Sequence, residues 1–155
     1  INTPALENPG LIDELVRAFG SQCVVIGVDS IADDGTYTVR SHTGTPDAMK
    51  TPGRRTLDWL AEVVDRGAGE VVLNCMSADG TRAGYDIEQL SSARNVLPIP
   101  LVASGGAGTA EHFTEVFREA DVDAALAATV FHSGQIPIPD LKQSLADAGI
   151  EVRPC

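Results

Sequence analysis

The sequence predicts an α/β fold built on a parallel sheet, and three observations carry that expectation. Apolar runs alternate with amphipathic stretches in a β-α order repeated four times. The four runs are apolar enough to be strands buried on both faces, and each is followed by a helix candidate. That order implies parallel strands joined by right-handed helical crossovers.

The elements follow in chain order. Ile1-Asn2-Thr3 precedes a helix as though the chain started at the last residues of a further strand. Asn8-Pro9 supplies a cap and a first-turn proline; Leu11, Leu15, Val16 and Phe19 then fall on one face before Gly20 ends the helix. Cys23–Asp29 "CVVIGVD" reads as the first strand. Between it and the next helix lies "DDGTYTVRSHTGTPDAMKTPG", where Asp34-Gly35 and the alternation of Tyr37 and Val39 predict a small hairpin followed by a loop over one end of the sheet. Thr56–Arg66 is helical, Val71–Met76 a strand, Asp86–Asn95 a helix and Pro100–Ser104 a strand. Thr109–Glu119, the strand Ala124–Thr129 and the helix Ile138–Ala148 complete the series. No low-complexity linker interrupts residues 1–155, which read as one α/β unit. Four parallel strands left open would present unpaired edges, so something is expected to complete the sheet.

Composition narrows the partners. The 155 residues are 43% hydrophobic and 21% charged, a globular profile with apolar material for a core. Eleven Lys and Arg against 22 Asp and Glu give a formal charge of −11, which repels nucleic acid and anionic membranes, so an anionic ligand must be held locally. No apolar run reaches the roughly 18 residues of a membrane helix and no signal-peptide pattern opens the sequence, so a cytoplasmic protein is expected. Cys23, Cys75 and Cys155 have no CxxC spacing and read as reduced packing residues.

Ligands of parallel α/β folds gather beyond the carboxyl ends of the strands. There, "LVASGGAGTAEHF" breaks from strand into glycines and restarts as a helix, so the N–H groups after Ser104 can converge on an anion at a helix start. The glycines equally fit an ordinary turn that needs positive φ. Gly105, Gly106 and Gly108 match neither GxGxxG nor the GK[ST] loop, which disfavours a dinucleotide or a nucleoside triphosphate; no cofactor is expected. Asp79-Gly80 follows the second strand, as a turn or a ligand contact, and Ala128-Thr129 closes the fourth. Asp29 ends its apolar run as a carboxylate, suited either to proton transfer or to capping the next turn. Asp86, with Gln89 three residues on, reads as a capping box.

The segments "INTPALENPGLIDELVRAFGSQCVV", "RGAGEVVLN", "DGTRAGYD", "PLVASGGAGTAEHF" and "AALAATVFH", with the ending "GIEVRPC", resemble the cyclase subunits of imidazole glycerol phosphate synthase, an enzyme of histidine biosynthesis. The resemblance implies a (β/α)8 TIM barrel, of which this sequence is the C-terminal half: four parallel βα units preceded by the end of strand 4 and its helix. It implies that Asp29 is one of two catalytic aspartates, a general acid/base during attack of ammonia and closure of the imidazole ring, the other lying on the first barrel strand outside this sequence. The substrate, a formimino phosphoribulosyl aminoimidazole carboxamide ribotide, carries two phosphates. One would lie over Asp79, Gly80, Ser104, Gly105, Gly106, Ala128 and Thr129, the other near Asn2 and Thr3, with Asn74 lining the channel. A glutaminase subunit would supply ammonia from the opposite face, where Glu70 matches a charged position.

Ser77 stands where many family members carry Asp or Asn, and the long loop leaves open which of Ser41, His42 and Thr43 reaches substrate. His42, His112 and His132 are scattered, without metal-ligand spacing, and read as surface or packing residues; no metal is expected. The rival readings are the sister isomerase of the same pathway and a phosphate-binding half-barrel without catalysis. As a half-barrel, the chain is expected to self-associate or to pair with the N-terminal half.

Overall fold

The computed structural model describes residues 1–153, apart from the Pro46 side chain; Pro154 and Cys155, which end the "GIEVRPC" segment, lie outside the described residues. Five strands form one sheet in the order β2-β1-β3-β4-β5: β1 Val25–Asp33, β2 Thr36–Arg40, β3 Glu70–Cys75, β4 Leu101–Ser104 and β5 Ala124–Leu126. Neighbours are parallel except β1 and β2, which form the expected hairpin. Its two-residue turn has Asp34 at φ 44° and Gly35 at φ 76°, the left-handed pair that matches the twist of a tight hairpin. The helices are α1 Thr3–Glu7, α2 Gly10–Phe19, α3 Thr56–Asp65, α4 Ile87–Arg94, α5 Ala110–Glu119, α6 Thr129–His132 and α7 Ile138–Asp147. No helix among the described residues is long and apolar enough to cross a membrane.

The strands are not buried on both faces. Ile26, Val28, Val71, Leu73, Cys75, Leu101 and Ala103 are buried, whereas the alternate residues Val25, Gly27, Val72, Asn74, Val102 and Ser104 are only half-buried. Period-2 alternation places these sets on opposite faces of the sheet, so one face is closed by the core and the other is open. The uniform apolarity of the runs hid this, because the open face also carries valines.

Several boundaries differ from the sequence reading. Cys23 falls in a 3-10 turn, and β1 runs on four residues past Asp29 because the hairpin partner continues its ladder. The fourth apolar run pairs only through Leu126, and Thr129 opens the short α6 instead of ending a strand. Helix α1 was not anticipated; its proline occupies the first turn, where a missing N–H is tolerated. On α2 the buried residue is Ile12, while Phe19 is 63% exposed. Cys23 is exposed, so only Cys75 of the described cysteines packs in the core.

A polar tie runs beneath the sheet on its closed face. The hydroxyls of Ser30 and Thr56 lie 2.6 Å apart, and Gln89 Nε2 donates to Ser30 Oγ, joining β1, α3 and α4 where all three residues are buried. Asp86 caps α4 by accepting the Gln89 backbone N–H at 2.9 Å, but the Gln89 side chain turns inward to this tie instead of completing a capping box.

The loops after β3 and β4 are meshed. Gly84 N–H donates to Gly106 O at 2.9 Å, and Gly106 has φ 109°. A Cβ on Gly106 would sit 2.0 Å from Gly84 O, and one on Gly108 would sit 2.1 Å from Arg82 O. The bare backbone of this stretch is therefore filled first by the neighbouring loop. Below it, His112 Nδ1 accepts the N–H groups of Gly108 and Thr109 at 3.1 and 3.3 Å, satisfying donors at the start of α5. His112 is thus a helix cap.

Two outcomes follow. Gly106→Ala is expected to reduce unfolding stability by about 2 kcal/mol or more, through backbone overlap and positive φ. Gly80→Ala, with φ 75° and open space at its Cβ, is expected to lose only about 1 kcal/mol; urea denaturation of the two variants compares them. Burial, then the charge of Asp86, pushes the Cys75 thiol far up from its ordinary range. Iodoacetamide on the folded chain in mildly alkaline buffer is therefore expected to label Cys23 and spare Cys75 until denaturant is added, as read by peptide mass mapping.

Candidate functional site

Strand pairing sets the site. Asp29 is in register with Asn74, Asn74 with Ser104 and Ser104 with Leu126, one residue from each of β1, β3, β4 and β5. Parallel neighbours stand about 4.8 Å apart, so the row spans about 14 Å across the open face. Leu126, at its far end, is 46% exposed.

Side-chain hydrogen bonds follow the row. Asn74 Nδ2 donates to Asp29 Oδ1 at 2.9 Å, while Asn74 Oδ1 accepts the Ser104 hydroxyl at 3.3 Å. The other carboxylate oxygen, Oδ2, accepts Asn2 Nδ2 at 2.8 Å and Thr43 Oγ1 at 2.6 Å. Asp29 is 8% exposed and held by three neutral donors, so its orientation is fixed from three directions. It does not cap a turn: the strand passes through it, and the turn lies at Asp34-Gly35.

Beside Ser104 opens a cleft of about 250 Å³, lined by Asn74, Asp79, Gly80, Arg82, Ser104, Gly105, Gly106, Ala107, Leu126, Ala127, Ala128 and Thr129. It brings together eight of the residues expected from sequence: Asn74, Asp79, Gly80, Ser104, Gly105, Gly106, Ala128 and Thr129. Among the described residues, the backbone N–H groups of Gly80, Gly106, Ala107, Ala128 and Thr129 have no protein acceptor. Such donors, with Arg82, can hold an anion despite the acidic chain. Arg82 stands in the left-handed region at φ 58° and makes no ion pair among the described residues. Tyr85 supports the far wall: its hydroxyl donates to Leu126 O at 3.0 Å, and its ring meets Phe113 edge-on at 5.6 Å. Burial pushes its phenol up from a range in which it is already a donor at neutral pH.

Asn2 and Thr3 do not line this cleft. The Asn2 amide donates to Asp29, and the Thr3 hydroxyl accepts the His42 N–H at 3.0 Å. Glu70 lies four residues before Asn74 on β3, about 13 Å away along the strand and toward the opposite end of the sheet. Of the three loop candidates, Thr43 reaches the site directly, through Asp29. Ser41 is buried and pairs through its backbone with Lys50, Ser77 Oγ accepts the Ala32 N–H, and exposed His132 ends α6. Among the described residues, no three His, Cys, Asp or Glu side chains converge as a metal site.

Arg82, Leu126 and Ala127 are wall residues the sequence reading did not single out. Arg82 lies inside "DGTRAGYD", and its basic charge amid an acidic chain was the available signal.

A sequence profile described as "Histidine biosynthesis protein" matches residues 1–137. The chain is 60% identical over 154 residues to proteins named imidazole glycerol phosphate synthase subunit HisF from Xylella fastidiosa, Xanthomonas oryzae pv. oryzae and Maricaulis maris. Each alignment covers 99% of this chain and 60% of the relative, so the chain spans about 60% of the length of these relatives. With its mostly parallel sheet and strand-end cleft, the chain belongs to the histidine biosynthesis protein family.

Proposed function

We propose that this chain is the C-terminal half of a (β/α)8 barrel and supplies one half of the cyclase site of imidazole glycerol phosphate synthase. The observation that carries the reading is the row from Asp29 through Asn74 to Ser104, which ends at a cleft walled by unpaired backbone donors. A carboxylate about 10 Å, two strand spacings, from an anion pocket suits a substrate whose reacting centre lies between two phosphates. In this reading Gly80, Gly106, Ala128 and Thr129 bind one phosphate, with Arg82 adding charge. Asp29 accepts and returns protons as ammonia attacks and the imidazole ring closes, and a second carboxylate comes from the other half. Asn74 fixes the carboxylate by one oxygen, while Asn2 and Thr43 fix the other. The second phosphate lies near Asn2 and Thr3.

The open sheet supports the half-barrel. The Ile1 amino group donates to Val25 O at 2.7 Å, and the Gly27 N–H donates to Ile1 O at 2.8 Å, the pattern of a parallel neighbour on that side of β1. At the strand starts, Ile1, Leu15, Phe19 and Val25 border a small apolar hollow, and we assign this end to the ammonia-supplying glutaminase partner. The relatives are named for the synthase subunit, which favours the cyclase over the sister isomerase.

The chain alone is expected to be nearly inactive. Completed with the N-terminal segment of the Xanthomonas oryzae relative, it is expected to release the carboxamide ribotide in an ammonia-dependent steady-state assay; simple aldose-to-ketose conversion would instead select the isomerase. In the completed enzyme, Asp29→Asn is expected to lower kcat about 10²–10⁴-fold with substrate binding retained. Light scattering of the chain alone is expected to give a mass above that of one copy, because the open face and sheet edge seek a partner; a monodisperse monomer rejects this.

A further inference from the structure

The mechanism leaves unexplained what holds Thr43 against Asp29. Thr43 is half-buried in a loop whose next residues, Gly44 and Thr45, are solvent-facing, and its hydroxyl is 2.6 Å from Asp29 Oδ2. The preceding residue makes the attachment. His42 Nε2 is 2.9 Å from Glu7 Oε1, and the His42 backbone N–H donates to Thr3 Oγ1 at 3.0 Å, so α1 grips the loop at two points. His42 has φ 55°, a left-handed conformation that an L side chain keeps only where its surroundings enforce it. The residue preceding α1, Asn2, is the second donor to Oδ2. Both donors to that oxygen therefore depend on one short helix, and the His42–Glu7 contact is the only one of these links that lies out in solvent, at 34% and 57% side-chain exposure. A pair so exposed adds little to overall stability. Its consequence is local: it fixes the backbone turn that aims the following hydroxyl.

We propose that His42 and Glu7 are positioning residues for Asp29. By clamping the loop to α1, they keep the Thr43 hydroxyl on Oδ2 and leave the carboxylate one orientation toward the open face. The proposal rests on the reading of Asp29 as the proton-transfer group, and the test separates the two.

In the synthase completed with the Xanthomonas oryzae N-terminal segment, His42→Ala and Glu7→Ala are each expected to lower kcat about tenfold with KM for the bisphosphorylated substrate within twofold. The double variant is expected to be no slower than either single one. His42→Gln, which retains a donor for Glu7, is expected to recover most of the lost kcat, a rescue that a general loosening of the fold would not give. Thermal melts of all variants should stay together. If Asp29→Asn abolishes turnover while His42→Ala and Glu7→Ala leave kcat unchanged, the positioning pair is overturned and the role of Asp29 stands. Equal losses in kcat and in melting temperature without rescue by Gln overturn it as well. Unchanged turnover in Asp29→Asn overturns the reading beneath it, and the proposal with it.

Discussion

Everything at the site depends on the unbroken register between parallel strands. Asp29, Asn74 and Ser104 meet because β1, β3 and β4 pair without a bulge, so one residue from each stands at the same height on the same face. A slip of one residue in any strand would exchange the faces and send the carboxylate into the helix layer. What prevents it lies on the other side of the sheet, where Ile26, Val28, Leu73 and Leu101 are buried and would be exposed by the same slip. The core thus fixes the candidate site indirectly.

The closed and open faces divide the polar groups of the strands in the same way. Ser30, one residue after Asp29, points to the helices and is tied to Thr56 and Gln89 with no water-facing outlet. Asp29 points the other way and is held by amides and a hydroxyl that leave it beside the open face. Adjacent residues of one strand therefore serve packing and the candidate site separately. The loops after β3 and β4 add the second constraint, since Gly106 and Gly108 accept the backbone of the neighbouring loop where any side chain would collide. The cleft wall is one meshed body, which keeps its N–H groups at fixed spacing.

Much of this was legible in the residues. The alternation of apolar runs and amphipathic stretches gave the parallel sheet, and Asp34-Gly35 gave the hairpin, because both rest on local geometry. Seven of the eight expected cleft residues could be named because strand ends in parallel folds share one mouth, whereas Asn74, inside its strand, was implied only by the family resemblance. Position within an element was less legible. Asp29 looked like a strand's last residue because its apolar run stops there, but β1 continues by pairing with β2, a long-range gain the run itself does not contain. Phe19 matched the helical period yet lies exposed, since period identifies a face and not what covers it. Thr43 and His42 were undecidable in the sequence, because their contacts join residues 14 and 35 positions apart through the fold.

The continuation of β1 beyond Asp29 has a consequence for how this scaffold can vary. A reactive group on a loop moves when the loop is lengthened or recomposed. Here ladder bonds bracket the carboxylate on both sides, and the hairpin returns the chain to Arg40, in register with Asp29, before the irregular stretch begins. Insertions at the loop tip, beyond Thr43 and within the bridge of Ser41 to Lys50, can accumulate with Asp29 unmoved. On the proposed reading of Asp29, such drift would reshape only what the acid faces, so novelty in ligand choice and constancy of proton chemistry can be inherited separately.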